Sequence, residues 1–368
     1  MSAPLRLVLV GAGQMGRAWI RAIDRADDAE LVGLVDLDPR AVEAALAARG
    51  PSVASGTDAV ALARAEGADG IVDVTVPVAH LPVNLAALDA GYPVLCEKPV
   101  TPTVRDALIL VAASETTGRL LMVSQSRRYY AALDELRRRA ADLGGAELLS
   151  TEFLKAPHFG GFREEMDHPL LVDMAIHSFD VARAVLDRVP LTVDCRSFNP
   201  SWSWFRGDAA AEALFEFEGG ARFQYFGSWV APGLETSWNG SWRAGTARGT
   251  VTWDGESAVE VQEGDGPVER LDVVPAPHES IEGSLAEFLA AVRSGASPSG
   301  EIHANVWTLA MVEAAVRSAE TRTTVDIPAL IDDARDQALA TDIRDDLRTV
   351  LASWSSPHER LLRTAVRA

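Results

Sequence analysis

Leu5-Arg6-Leu7-Val8-Leu9-Val10-Gly11-Ala12-Gly13-Gln14-Met15-Gly16 passes from an apolar run into glycines and then into helix-forming residues. Leu7 to Val10 is too short and too rich in β-branched side chains to be a helix, and reads as a buried parallel strand. The glycines follow a G-x-G-x-x-G spacing. Gly11 permits a tight turn, Gly13 lets backbone approach a pyrophosphate, and Gly16 lets a helix from about Met15 to Arg25 pack closely on the strand. Backbone N–H groups at the start of that helix point at the ligand's negative charge. Glycine-rich turns are common, so context decides. A second strand, Leu31-Val32-Gly33-Leu34-Val35-Asp36, ends in an acid about 20 residues beyond the last glycine. A dinucleotide-binding β-α-β unit accounts for all of these features.

Asp36 also discriminates between dinucleotides. A carboxylate at the end of the second strand accepts hydrogen bonds from adenosine ribose hydroxyls and repels a 2′-phosphate. Leu37 and Asp38 follow, neither able to neutralise a phosphate, with Arg40 the nearby cation that argues the other way. NAD is therefore expected in preference to NADP.

With 368 residues the chain is long enough for about two domains. Its net charge of -19 argues against nucleic acid or an anionic membrane as partner. Arg137-Arg138-Arg139 reads as a solvated helix face. Cys96 and Cys195 are far apart, so neither a disulfide framework nor a C-x-x-C metal site is implied, and both read as buried thiols in a reducing cytoplasm. Met1-Ser2-Ala3-Pro4 runs straight into the first strand, leaving no room for a signal peptide, and no apolar run suffices to span a bilayer. The expectation is a soluble, cytoplasmic protein without a metal.

Residues 1–124 alternate short apolar strands with Ala-rich helices, the pattern of a doubly wound parallel sheet. A helix from Pro39 to Ala48 has Gly50 past its end, and Ile71 to Val76 is a strand stopped by Pro77. Residues 125–327 change texture: strands such as Glu147 to Leu154, Trp238 to Arg243 and Gly249 to Trp253 are separated by turns, with few helices between them. They suggest an open, mostly antiparallel sheet in an α+β domain, interrupted by a helix from Leu170 to Leu186. Residues 328–368 read as a helical extension. The fold class is α/β.

Ligands of open α/β sheets bind at the carboxyl ends of the strands, and three such ends carry suggestive chemistry. Thr75-Val76-Pro77 with His80 could line the nicotinamide side, His80 being otherwise a helix-start residue. In Cys96-Glu97-Lys98-Pro99, a lysine fixed by proline can bond a ribose hydroxyl and polarise a substrate oxygen, against the alternative of a surface turn; the bond before Pro99 is a candidate cis bond. Ser124-Gln125-Ser126-Arg127-Arg128 leaves the first domain past the cleft.

The second half offers a proton acceptor. The helix through Asp173, His177 and Asp180 places them at i, i+4 and i+7, a polar stripe on an otherwise apolar helix. Such a stripe is costly unless paired or facing a cavity. A histidine there suits acid–base work, and the alternative is a satisfied structural His–Asp pair.

Gly11-x-Gly13-x-x-Gly16, Glu97-Lys98-Pro99 and Asp173-x-x-x-His177, in this order and at these distances, resemble the glucose-fructose oxidoreductase/inositol dehydrogenase (Gfo/Idh/MocA) family. The similarity runs from about Leu5 to Ile327, including Arg243 to Thr250 and Asn305 to Ser318. It implies a Rossmann domain followed by a domain whose open sheet often mediates oligomers, hence a homo-oligomer, dimer or tetramer. It implies a catalytic set of Lys98, Asp173 and His177, with His177 as general acid/base, Lys98 polarising the reacting hydroxyl and Asp173 supporting both. The cofactor-binding set becomes Gly11, Gly13, Gln14, Met15, Gly16, Asp36, Leu37, Thr75, Val76, Pro77, His80, Glu97, Lys98 and Gln125. The chain departs from the pattern at Asp167-His168-Pro169, where many relatives carry Gly-Gly, and nothing is carried over to the extension.

Substrate signals are softer. Arg128 and Lys155, with Asp173 and His177, are the substrate candidates, and Arg127, His158 and Arg163 could also reach a polyol, a uronate or a phosphate. The second half is rich in aromatics, of which one or two could stack on a sugar. The expected activity is NAD-dependent oxidation of a secondary hydroxyl of a sugar, inositol or related polyol. The alternatives are an NAD-using glycosidase or keto-sugar lyase with no net redox change, and a non-catalytic dinucleotide sensor.

Overall fold

The computed structural model describes residues 3–47, 49 and 53–365. Met1, Ser2, Ala48 and Gly50 lie outside the described residues. The chain forms two compact units, one of residues 1–126, 280–306 and 331–368, the other of residues 127–279 and 307–330.

The first unit opens with β1 (Leu5–Val10), α1 (Gln14–Arg25), β2 (Ala29–Val35), α2 (Pro39–Leu46), β3 (Ala54–Gly56), α3 (Ala59–Ala65), β4 (Gly70–Asp73), α4 (Pro77–Asp89), β5 (Val94–Glu97), α5 (Val104–Thr117) and β6 (Leu121–Ser124). The strands form one parallel sheet in the order β3-β2-β1-β4-β5-β6. Leu7, Val8, Leu9, Ile71, Val72 and Leu95 are fully buried, as strands covered on both faces require. The order reverses between β1 and β4, so the glycine turn after β1 lies at the topological switch point. β4 ends at Asp73 rather than Val76. Asp73 Oδ1 accepts from the Thr75 N–H at 3.1 Å and from the Thr75 hydroxyl at 2.7 Å, and this local alternative to the ladder turns the chain.

The second unit holds α6 (Ala131–Asp142), β7 (Ala146–Leu154), α7 (Ile176–Leu186), β8 (Pro190–Phe198), β9 (Ala210–Phe217), β10 (Arg222–Ser228), β11 (Ser241–Thr246), β12 (Gly249–Trp253), β13 (Ala258–Glu263), β14 (Glu269–Asp272) and β15 (Val325–Asp326). Its sheet runs β14-β13-β12-β11-β7-β10-β9-β8-β15 and is antiparallel except for the β7–β10 pair. One row across it, Cys195, Ala213, Tyr225, Thr151, Trp242 and Trp253, is buried throughout. Phe179 of α7 packs on the same face, edge-on to Phe215 at 4.7 Å and to Tyr225 at 5.4 Å. The strand expected from Trp238 begins only at Ser241, because Gly240 at φ +78° and the Ser237 hydroxyl, which accepts from Asn239 N–H at 2.9 Å, form a turn there.

The late segments alter the expected division. α8 (Ser280–Ser294), the start of α9 (Ile302–Thr321), most of α10 (Ile327–Leu339), α11 (Asp345–Ser353) and α12 (Pro357–Ala365) belong to the first unit. Residues 280–306 were expected in the second domain and 331–368 as a separate extension. The cause is visible at two places. Val123 N–H donates to Gly300 O at 2.8 Å beside β6, and α11 packs on α5, a helix with nine buried residues from Val104 to Ser114. A helix apolar on every side needs cover away from the sheet as well.

Among the described residues no helix is long and apolar enough to cross a membrane. Cys96 and Cys195 are both free and buried. Arg138 and Arg139 lie on α6 in ion pairs with Glu135, as a solvated helix face does.

Candidate active site

In the first unit the three motif glycines do different things. A Cβ on Gly11, whose φ is +108°, would stand 2.8 Å from the Val74 carbonyl oxygen, and one on Gly16 would stand 2.1 Å from the Gly11 oxygen. These two glycines are demanded by the protein itself. A Cβ on Gly13 would meet nothing within 4 Å, so this glycine leaves open space at the start of α1, where no side chain caps the helix. Such a cradle fits a pyrophosphate on the helix start.

Asp36 is fixed beside it. Its Oδ2 accepts from Ala12 N–H at 2.7 Å and its Oδ1 from Asp38 N–H at 2.9 Å, and an ionised carboxylate with two bonds retains capacity for ribose hydroxyls. Arg40 folds onto Asp38 at 3.1 Å, which occupies the cation that argued for a 2′-phosphate. Leu37, Val76 and Met15 are 84%, 59% and 43% exposed, so apolar side chains face outward at the ends of β2 and β4 and at the start of α1. Thr75 and Pro77 are half-buried beside Val76.

Below these ends lies a buried polar layer. His80 is buried, with Nδ1 2.9 Å from Pro99 O and Nε2 3.1 Å from Thr75 O. Glu97 is buried too, accepting from the Trp19 indole N–H at 2.8 Å and from Lys98 N–H at 3.1 Å. Both side chains bond within the protein at the ends of the strands where the cofactor is expected. Burial pushes the Glu97 carboxyl up, against the Trp19 hydrogen bond and the Lys98 charge. Burial likewise raises Asp73, opposed by His80, and raises the Cys96 thiol well above the ordinary range. Asp73, His80 and Cys96 bring their ligand-type atoms within 4.8 Å of one another. Both His80 nitrogens face carbonyl oxygens, however, and Cys96 accepts from Asn84 Nδ2 at 3.2 Å, so the trio is a hydrogen-bonded brace.

Lys98 is half-buried at the end of β5, and the Lys98–Pro99 bond is cis. Gln125, at the end of β6, is buried with no hydrogen-bond partner for either amide atom among the described residues. A buried amide left so is costly, and a ligand contact would relieve it.

In the second unit, a π-helical turn, Leu170–Ala175, leads into α7. Such turns take more residues than an α-turn, so the expected stripe divides. Asp173 and His177 are half-buried among buried Leu171, Met174, Ala175 and Ile176. Asp180 is fully committed: it receives Arg128 through Nε at 2.6 Å and Nη2 at 2.7 Å, and the Thr308 hydroxyl at 2.9 Å. Arg128, a substrate candidate from the sequence, pairs with Asp180. Lys155 pairs with Glu235 at 3.0 Å, its ammonium 5.4 Å from the Trp238 ring. Arg163 Nε donates to Asp173 Oδ2 at 2.6 Å. His158 stacks on Trp204 at 3.9 Å, Trp229 and Trp242 are buried, and Trp202 and Trp238 are partly exposed.

Trp19 and Asp73 had no role in the sequence reading. Asp73 was detectable as a carboxylate inside the apolar run Ile71 to Val76, a position that demands partners. Trp19 carried no such signal, since its apolar ring suits any buried helix face.

Two family models match the chain: "Oxidoreductase family, NAD-binding Rossmann fold" over residues 5–125, and "GFO/IDH/MocA C-terminal domain" over residues 142–251. Inositol 2-dehydrogenase 4 of Saccharopolyspora erythraea is 36% identical over 197 residues, 52% of this chain and 57% of that protein, so the match spans little more than half of that relative. D-apiose dehydrogenase of Paraburkholderia graminis is 28% identical over 348 residues, 88% of this chain and 89% of that protein. Among solved structures, an oxidoreductase from Agrobacterium radiobacter in complex with NAD+, L-tartaric acid and magnesium superposes with a TM-score of 0.82 at 23% identity, over 89% of this chain and 100% of that one. An inositol dehydrogenase homolog from Azotobacter vinelandii, complexed with NADH and myo-inositol, gives 0.74 at 20% identity, over 89% and 98%. At these identities the structures establish the fold alone. The two family matches together cover more than half of the chain, in both units, and the protein belongs to the Gfo/Idh/MocA family of oxidoreductases with an NAD-binding Rossmann fold.

Proposed function

We propose that the chain is an NAD-dependent dehydrogenase that moves a hydride between a secondary hydroxyl of a sugar, inositol or related polyol and nicotinamide. The observation that carries this reading is the entry to α7, where Asp173 and His177 stay half exposed on an otherwise buried segment. A general acid/base must be reached by its substrate, and a half-exposed carboxylate and imidazole on this segment meet that requirement.

The turn from Gly11 to Gly16 and the first turn of α1 would hold the pyrophosphate, and Asp36 the adenosine ribose. Gln14, Met15, Leu37, Thr75, Val76, Pro77 and Gln125 would line the remainder. When bound, the nicotinamide supplies the hydride acceptor. His177 takes the hydroxyl proton, Lys98 polarises the same oxygen, and Asp173 supports the charge of both. The named relatives, an inositol dehydrogenase and an apiose dehydrogenase, support a polyol or sugar as substrate. Leu148 and Leu214, 65% and 50% exposed on the outer face of the large sheet, support a homo-oligomer, and the two free thiols support a cytoplasmic setting.

The test is NADH absorbance from the purified chain with NAD and a panel of sugars and inositols. Stoichiometric NADH is expected, with Lys98→Ala and His177→Ala each lowering kcat by about 10²–10⁴-fold. Product without accumulated NADH would favour the glycosidase or lyase reading. NAD binding without any product would favour a sensor. Variants as active as the parent would remove Lys98 and His177 from catalysis.

A further inference from the structure

The contact between Arg163 and Asp173 engages one of the guanidinium's five N–H groups, through Nε at 2.6 Å. Its two Nη groups make no hydrogen bond among the described residues. The guanidinium carbon lies 5.3 Å from the Phe159 ring and 4.9 Å from the Phe162 ring, and these rings are 41% and 64% exposed. Between them Gly160 and Gly161, both at φ +66°, turn the chain so that two phenylalanines flank one arginine.

A second guanidinium touches the same wide turn. Arg127 bonds Trp238 O and Asn239 Oδ1 and approaches Met174 Sδ at 3.9 Å, next in sequence to Asp173. None of these partners is an anion. Burial draws the Arg127 pKa down to about 10, which leaves it cationic at neutral pH. Around it Lys155 pairs with Glu235, Arg128 with Asp180 and Arg163 with Asp173, and Glu164, next to Arg163, accepts from Gly160 N–H at 2.8 Å.

We propose that the substrate is a sugar acid, an aldonate or uronate whose carboxylate docks on the unspent edge of Arg163 while its carbon skeleton lies against Phe159 and Phe162. A planar carboxylate matches two parallel guanidinium N–H groups. This inference deepens the dehydrogenase reading and rests on it.

The experiment compares kcat/KM with NAD for D-glucuronate, D-galacturonate and D-gluconate against D-glucose, D-galactose, myo-inositol and D-glucose 6-phosphate. The acids are expected to exceed their neutral counterparts by about tenfold to a hundredfold. Arg163→Gln should collapse that ratio mainly through KM for the acids, and Arg163→Lys should retain part of it, with far-UV circular dichroism reporting the fold of each variant. Neutral sugars at parity, a preference for the phosphate ester, or a loss of kcat shared by acids and neutral sugars in Arg163→Gln would each overturn the proposal while leaving a dehydrogenase. Absence of turnover with every compound would overturn the dehydrogenase reading and this inference with it.

Discussion

The His80 ring meets the Pro99 carbonyl oxygen at 2.9 Å, and its other nitrogen meets the Thr75 oxygen at 3.1 Å. One side chain therefore ties the loop after β4 to the loop after β5, the two that carry Thr75 to Pro77 and Lys98. His80→Leu keeps bulk but leaves two carbonyls without that partner, at a cost of about 1–3 kcal/mol. A lower thermal midpoint and a weaker NAD Kd are expected together. A variant with both unchanged would show that the brace has no bearing on the site.

Gly13 and Gly16 belong to one motif but should fail in opposite ways. Gly16→Ala drives a Cβ to within 2.1 Å of the Gly11 oxygen, so it is expected to lower the thermal midpoint. Gly13→Val meets no protein atom within 4 Å of its Cβ and sits at an extended φ of -70°, so the fold should persist. The side chain would instead fill the space for backbone approach, and NAD affinity should drop by about tenfold or more, as a loss of at least 1.4 kcal/mol. Calorimetry with NAD, paired with thermal melts, separates the two. Equal loss of stability in both variants would remove the cradle assignment for Gly13.

The features legible in the sequence are those whose cause is local. Strand, glycine turn, helix and Asp36 lie within a few dozen residues, and each constrains its neighbours. β3 escaped because Ala54-Ser55-Gly56 has no apolar alternation, and gains its place only by pairing with Gly33 to Val35. The return of residues 280–306 to the first unit depends on contacts such as Met122 with Glu301, which no periodicity announces. The same holds in the site. Spacing identified His80, Glu97 and Arg128 as polar groups in the right places, yet whether each faces outward or bonds inward depends on distant partners, Trp19 for Glu97 and Asp180 for Arg128.

Glu97 gives a prediction for that inward layer. Trp19→Phe removes the 2.8 Å indole bond and leaves a buried carboxylate oxygen short of a donor. A loss of about 1–3 kcal/mol is expected. Since burial already raises the Glu97 carboxyl, the variant should raise it further. Glu97→Gln in the same background should recover part of the loss, because a neutral amide tolerates burial better than a carboxylate. Urea titrations of the single and double variants measure the coupling, and strictly additive effects would show that the two side chains do not cooperate.

The late helices are held by a second buried cluster with its own pH signature. His303 lies between Glu301 Oε1 at 2.7 Å and Glu115 Oε1 at 3.0 Å, and Glu115 also receives Arg360 of α12 at 2.9 Å. Burial alone would lower the His303 pKa, but the hydrogen bonds and charges of Glu115 and Glu301 outweigh it and raise the value from 6.5 to about 9. Burial raises the Glu115 carboxyl, and the His303 and Arg360 contacts more than reverse this, leaving it below its usual 4.5. A histidine raised on folding adds stability that is complete below its unfolded pKa and disappears as pH climbs through the folded one. A carboxylate lowered on folding adds stability above its unfolded pKa and loses it in acid. This cluster's contribution should therefore be greatest between about pH 5 and 6.5 and should fall by on the order of 2–3 kcal/mol on passing to about pH 10. His303→Gln should flatten the alkaline limb of urea unfolding followed across that range. An unchanged alkaline limb in the variant would assign the loss to other groups.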